Sequence, residues 1–498
     1  MYCDKYNEEL FSFIKNSPTQ YHAVANMARS LSNGGFVELR EHDSWSIKPH
    51  SKYFATRNGS SIIAFLTGDN CPWESGIKLV GAHTDSPCLK VKPTPEIQSH
   101  EMVRLGVEVY GGALLNSWFD RGLNLAGRVT VLVTDEDNDK DNIVNISGVG
   151  EYGKEFIRTL LVNYDTAVAT IPSLAIHLDR EANTKRVLNP QIDMPPLFTI
   201  YSHSHLEDLE NGSIQQESND FIREPDSFSN SSTSKSFRLM LLEQVIKENS
   251  NINIKELLDF DMSFSDAQPP FFTGVNQDII SAPRLDNLLS CHVALKSILR
   301  VYSDNASVDF TSTQGGFAPP CMVVCTDHEE VGSDTAAGAK GSFFNSVLSR
   351  LIPDTEQRVR SAARSFMISL DNAHAVHPAH SELYDSSHTP VLNQGPVLKT
   401  NSSQRYASDC ESAALFRYIC KRADIPMQTF VMRSDMPCGS TIGPIISSST
   451  GIKTVDAGAP TLAMHSIREI TGSADPFMLF QVINHFFSME SLPLLSLI

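Results

Sequence analysis

Five short stretches of this sequence carry residue types that bind metal ions or move protons. "GAHTDS" holds His83 and Asp85, "APRLDN" holds Asp286, and "CTDHEEVGS" holds Glu329 and Glu330. "SLDNAHAVHP" holds Asp371 and His374, and "TLAMHSIRE" holds His465. Adjacent carboxylates repel, and taking them out of water costs more. The apolar run Met322-Val323-Val324 puts Glu329 and Glu330 at the end of a buried strand, so a positive partner is expected there. His83 and Asp85, at i and i+2, share one face of a strand. Asp85 is thereby placed to hold the second nitrogen of an imidazole whose first nitrogen binds a metal.

Each stretch alone has an ordinary explanation: a strand-end histidine with a capping aspartate, an N-cap Asp286, a solvated loop at 327–330, a structurally satisfied His465. Five such coincidences at element boundaries converge on a metal site instead. Two His, two Asp and a Glu, with one carboxylate shared, suffice for two divalent ions. One of the paired glutamates would bind, and its neighbour would take a proton from water.

The elements that must position these residues are legible from periodicity. "SPTQYHAVANMARSLSNGGF" is a helix with Val24, Met27, Ala28 and Leu31 on one face, Thr19 as its cap and Gly34-Gly35 at its end. "SIIAFLTG" and "IKLVGAHTD" are short apolar strands. "VRLGVEVYGG", "GRVTVLVTD" and "VNISGVG" alternate without intervening helices, which predicts an antiparallel, β-rich segment. From "SAPRLDN" onward strands and helices alternate: "LLSCHVALKSILRVY", "PCMVVC", "SFFNSVLSRLI", "SFMISLD" and "CESAALFRYICKRA". The expected class is therefore α/β, with a central, mostly parallel sheet flanked by helices and ligands at the carboxyl ends of its strands. Residues 1–95 and 275–498 form this domain, and 96–274 is a smaller inserted β-rich domain. Within it, 204–236 is rich in Ser, Asn, Asp and Glu and is expected to be a disordered insertion.

Gross properties narrow the function. The chain has 498 residues, 41% of them hydrophobic and 20% charged, enough for a large core. A formal net charge of -18 argues against nucleic acid as a partner. Nine cysteines without a short-spaced framework read as reduced thiols of the cytoplasm. The polar start "MYCDKYNEEL" is not a signal peptide, and no apolar run reaches membrane-spanning length.

At these same residues the chain resembles the aspartyl aminopeptidases, a family of metallopeptidases. The stretches that carry the resemblance are "GAHTDSPCLKVKP", "APRLDN", "DHEEVGS", "NAHAVHP", "NSSQRYAS", "PCGSTIGP" and "AMHSIRE", with "SPTQYHAV" and "IPSLAIHLDR" in support. They run in order from about residue 17 to 470. The resemblance implies a catalytic α/β domain interrupted by a β-rich dimerisation domain, assembled from dimers into a tetrahedral dodecamer. It implies two divalent metal ions per subunit, zinc first, with manganese or cobalt as alternatives at one position. His83, Asp286, Glu330, Asp371 and His465 would be the metal ligands, with Asp286 bridging. Glu329 would be the general base and Asp85 the carboxylate behind His83. His374, Lys399, Tyr406 and Glu329 would contact substrate, and His177 would be lent by a neighbouring subunit. One departure is Asn372, where relatives more often carry Met.

The implied activity is release of N-terminal Asp or Glu from peptides in the cytoplasm, with no nucleic acid or membrane involved and with Lys399 facing the acidic side chain. Competing readings are a dinuclear aminopeptidase of other specificity, a deacylase, or an inactive scaffold or cargo particle.

Overall fold

The computed structural model describes residues 2–68, 72–134, 155–200, 236–301 and 320–493. They form two compact units: residues 1–89, 109–118 and 263–498 in the first, and 90–108 with 119–262 in the second. Residues 109–118 and 263–274, read from sequence as part of the inserted domain 96–274, fold with the first unit. The "VNISGVG" stretch and the Ser/Asn-rich 204–236 lie outside the described residues, except Ser236, whose hydroxyl accepts from Leu239 N and caps the helix Phe237–Glu248.

A nine-stranded sheet runs through the first unit. Its order is Val37–Glu38, Lys52–Arg57, Ser61–Leu66, Cys321–Thr326, Lys78–His83, Phe366–Leu370, Lys453–Gly458, Val397–Thr400 and Gln428–Val431. The four strands from Cys321–Thr326 to Lys453–Gly458 are mutually parallel. Antiparallel pairs flank them, Ser61–Leu66 on one side and Val397–Thr400 on the other. The first three of those parallel strands are buried at every residue, and the fourth at all but Lys453, as continuous apolar runs require when both faces are covered. The class is α/β, as the alternation of elements predicts.

The helix Leu285–Arg300 covers one face. Its Leu285, Leu288, Leu289, Val293 and Ile298 share a core cluster with Val80, Ala82 and Val323 of the strands and Leu479 and Ile483 of the helix Asp475–Ser488. Each of these leucine, isoleucine and valine side chains, fully buried, contributes about 1.5–3 kcal/mol. Thr19 stands at the N-cap of Gln20–Asn33, but its hydroxyl meets His22 Nδ1 at 2.8 Å and not a backbone N–H as the sequence suggests.

A second, five-stranded sheet in this unit is small but decisive for position. Its order is Phe271–Thr273, Ile279–Ala282, Glu469–Gly472, Pro460–Leu462 and Ala373–His374. Ala282 pairs with Glu469, and Ala373 with Pro460. Three distant segments, around residues 282–286, 371–374 and 460–469, are thereby stitched together.

The second unit is built on a six-stranded sheet, ordered Glu155–Asn163, Leu123–Thr134, Ile254–Asp266, Cys88–Ser99, Met102–Tyr110 and Leu197–Ile200, the ends of three strands belonging to the first unit. The pairs at both ends of that order are antiparallel. Among the described residues no helix is long and apolar enough to cross a membrane.

Candidate metal centre

The four central strands point their carboxyl ends the same way, and the candidate residues stand there. His83 closes one strand, and Thr326, its partner in register, leads to Glu329 and Glu330. Asp371 follows Leu370 directly, where Gly458 of the neighbouring strand leaves room: a Cβ there would collide with Asp371 O. Asp286 enters from the start of the helix Leu285–Arg300, and its φ/ψ of -84° and 104° are not helical, so it is no ordinary N-cap. His465 has φ 67°, a left-handed conformation that a non-glycine residue holds only when its surroundings enforce it. Here Glu469 Oε1 accepts from His465 N at 2.7 Å, while Glu469 Oε2 accepts from Asp286 N at 2.8 Å.

The resulting geometry is two half-sites sharing a carboxylate. Asp286 Oδ1 is 3.4 Å from His83 Nε2, and Asp286 Oδ2 is 3.4 Å from His465 Nε2. Asp371 Oδ2 lies 4.0 Å from His83 Nε2, and Glu330 Oε2 lies 3.4 Å from His465 Nε2. His83, Asp286 and Glu330 offer ligand atoms all within 4.8 Å of one another. Behind His83, Nδ1 is 3.0 Å from Asp85 O and 3.4 Å from Asp85 Oδ1. Asp85 in turn accepts from Glu329 N, Glu330 N and the Tyr110 hydroxyl at 3.1, 3.1 and 2.8 Å. One buried carboxylate thus orients the histidine and the backbone of both glutamates.

The electrostatics call for cations. Burial pushes Glu329 up to about 8, helped by Asp371, Asp85 and Asp286 against the pull of His83. Burial and Asp286 hold Glu330 well above the usual range, and burial raises Asp371 despite Lys399. On the histidines burial works against a charge, yet Asp286 and Asp85 raise His83 well above its ordinary value, and Asp286 with Glu330 brings His465 to about 10. Asp286 Oδ1 and Glu330 Oε1 are buried and accept no hydrogen bond. Imidazole and carboxylate ligands converging with orphaned oxygens are a donor set that suits a pair of divalent ions.

Beside this cluster opens a cavity of about 540 Å³, walled by Glu329, Glu330, Asp371, His374, Lys399 and Tyr406, with Lys340 and Arg405 also on its lining. Lys399 is 2% exposed; its ammonium is 3.2 Å from Asp371 Oδ1, donates to Asn372 O at 3.1 Å and lies 5.0 Å from the Tyr406 ring centroid. His374 packs on Phe430, and burial together with Lys399 lowers it to about 4, so it is neutral. His177 stands on an exposed turn of the second unit.

The first unit thus brings together His83, Asp85, Asp286, Glu329, Glu330, Asp371, His374, Lys399, Tyr406 and His465. Sequence reasoning missed Glu469 and Tyr110. Glu469 is four residues past His465 in "HSIRE", a spacing that reads as an ordinary charged turn. Tyr110 lies in "EVYGG", which the alternation assigns to the inserted domain.

The chain matches the aminopeptidase I zinc metalloprotease (M18) family over residues 13–487. A probable M18 family aminopeptidase 2 of Pseudomonas entomophila (strain L48) is 43% identical over 490 residues, covering 98% of this chain and all of that one. Among solved structures, the cryo-EM structure of the Ape4 and Nbr1 complex superposes with a TM-score of 0.82 at 34% identity, over 98% of this chain and 86% of that chain. The structure of the S. cerevisiae mApe1 dodecamer gives 0.74 at 27% identity, over 98% and 97%.

Proposed function

The chain belongs to the M18 family of zinc metallo-aminopeptidases, and from that premise we propose that it releases N-terminal Asp and Glu from peptides, using two divalent ions, zinc first, with manganese or cobalt as alternatives at one position. The observation that carries the two-ion reading is Asp286, whose two oxygens each stand 3.4 Å from a different histidine. His83, Asp371 and one Asp286 oxygen would hold one ion; His465, Glu330 and the other oxygen would hold the second. Ions so bound supply Lewis acidity, polarising the scissile carbonyl and making a water acidic enough to lose a proton near neutral pH.

Glu329 is the base. It belongs to the same short turn as Glu330, but no ion pair joins it to either histidine among the described residues, so its carboxylate is left to take the proton and return it to the departing amine. Asp85 holds the His83 tautomer through Nδ1 and leaves Nε2 to face Asp286. His177, by resemblance, would come from a neighbouring subunit to the oxyanion.

Acidic specificity rests on Lys399. Two of the three ammonium N–H groups have partners, Asp371 and Asn372 O, which leaves one for a substrate carboxylate. The net charge of -18 does not oppose this, because charges beyond about 8 Å are screened at physiological salt while Lys399 acts at contact range. Tyr406 and His374 would line the same subsite. The S. cerevisiae mApe1 neighbour is titled a dodecamer, and we extend that assembly to this chain, with the cytoplasm as its compartment.

Kinetics on Asp-, Glu- and Leu-terminated peptides, with metal analysis of the purified protein, test the reading. The expected result is about two ions per chain and a preference for Asp and Glu; hydrolysis of Leu substrates alone would assign the site another specificity.

A further inference from the structure

Asp456 takes no part in the proposed chemistry, yet it ties together much of the cavity beside the metal centre. It lies in the strand Lys453–Gly458, is fully buried, and stands directly opposite Lys399 in the antiparallel pair, so the two side chains share one face of the sheet. Its carboxylate grips two loops. Oδ2 accepts from Ala407 N at 2.6 Å, and Oδ1 accepts from the Thr441 hydroxyl at 2.6 Å. Ala407 directly follows Tyr406, and both Tyr406 and Thr441 line the cavity. The Asp456 backbone N donates to Ser408 Oγ at 2.9 Å, a second tie to the Tyr406 loop. Gly443 leaves the space for this arrangement: a Cβ there would stand 2.5 Å from Asp456 Oδ2 and 2.6 Å from Oδ1.

A buried ammonium needs compensating charge. Lys399 has Asp371 Oδ1 at 3.2 Å, but Asp371 is also a proposed metal ligand, so one carboxylate answers to two cations. Asp456 supplies a second buried carboxylate on the lysine's side of the sheet. Burial raises its carboxyl, and Lys399, Thr441 and Ala407 pull against that. Tyr406, whose ring centroid is 5.0 Å from the ammonium, is set by the hydrogen bond from Ala407 one residue on. We propose that Asp456 is the positioning residue of the Lys399 subsite: it fixes the lysine, Tyr406 and Thr441 in one arrangement and leaves the remaining ammonium N–H available to a substrate carboxylate. That role presupposes that Lys399 and Tyr406 contact substrate, the reading proposed for this site.

The test is a double-mutant cycle on the full-length, metal-loaded protein, with Asp456→Asn and Lys399→Ala made singly and together. Asparagine keeps the shape and can still accept from Ala407 N, while the Thr441 hydroxyl can turn to accept from its NH2, so the charge is removed with little else. Asp456→Asn should lower kcat/KM for Asp-terminated peptides about 10-fold more than for Leu-terminated ones, mainly through KM. Metal content should be unchanged. In the Lys399→Ala background the same substitution should shift the ratio no further. Gly443→Ala, which keeps the charge but displaces the carboxylate, should reproduce the selective loss. Equal losses on both substrates, a wild-type ratio in both Asp456→Asn and Gly443→Ala, or effects that simply add with Lys399→Ala would each overturn the assignment, leaving Asp456 a residue of the sheet alone. A wild-type enzyme without acidic preference would sink the specificity reading separately; the cycle, then read on KM for the substrate it does cleave, still decides whether Asp456 acts through Lys399.

Discussion

Glu469→Gln is the sharpest probe of how the metal ligands are held. The carboxylate joins two backbones, accepting from His465 N at 2.7 Å and from Asp286 N at 2.8 Å, and it is 2% exposed. Glutamine is isosteric, yet one of its two ends is an NH2. One backbone N–H would keep an acceptor and the other would face a donor. Losing one buried hydrogen bond and stranding a buried N–H costs about 1–3 kcal/mol. At 1.4 kcal/mol per factor of ten, that is about a 5- to 140-fold loss in the population holding both ligands in place. Zinc affinity, measured by competition with a chromophoric chelator, should fall by that factor, with the folded fraction checked by circular dichroism. A variant that unfolds at lower temperature without metal yet binds zinc with unchanged affinity would refute the reasoning, since Glu469 would then serve the fold and not the ligands.

Glu329→Gln should lower kcat by about 10²–10⁴-fold with the metal content of the purified protein unchanged; turnover near wild type would dismiss Glu329 as the base. Lys399→Ala should erode the preference for Asp over Leu substrates, read as a ratio of kcat/KM, and an unaltered ratio would place the specificity elsewhere. His292, buried against Tyr6 and Phe13 with neither ring nitrogen partnered, is lowered to about 3 by burial and by Lys296. Its folded value lies below the unfolded one, so the unfolded chain gains the proton first and stability is lost as pH falls below about 6.5. Between pH 7 and pH 5 this amounts to about 2 kcal/mol, and denaturant titrations of wild type and His292→Leu should differ in pH dependence by that amount.

Much of the site was legible in the sequence because the sheet does the gathering. His83, Glu329, Glu330 and Asp371 each follow an apolar run, and parallel strands of similar length carry such residues to one edge without any further instruction. Asp286 and His465 were legible as boundary residues, but their meeting depends on the small sheet pairing Ala282 with Glu469, and strands of three or four residues leave almost no periodic trace. Tyr110 and Glu469 escaped for the same reason: each acts on a residue distant in the chain or on backbone N–H groups, which have no sequence signature. Lys399 by itself reads as a surface lysine, and only the resemblance singles it out; its attachment to Asp371 depends on the antiparallel pairing of Val397–Thr400 with Lys453–Gly458, which no single stretch announces.

The strand ending in His83 is wedged between two strands made far later, and the loop bearing His465 comes later still. From His83 to His465 is 465 − 83 = 382 residues, roughly 20 to 75 seconds of translation at ordinary rates. For that interval a nascent chain owns its first imidazole but lacks the partners that would make it dangerous. A hydrolase assembled this way stays silent on the ribosome, and cleavage anywhere between those strands that frees either part silences it again.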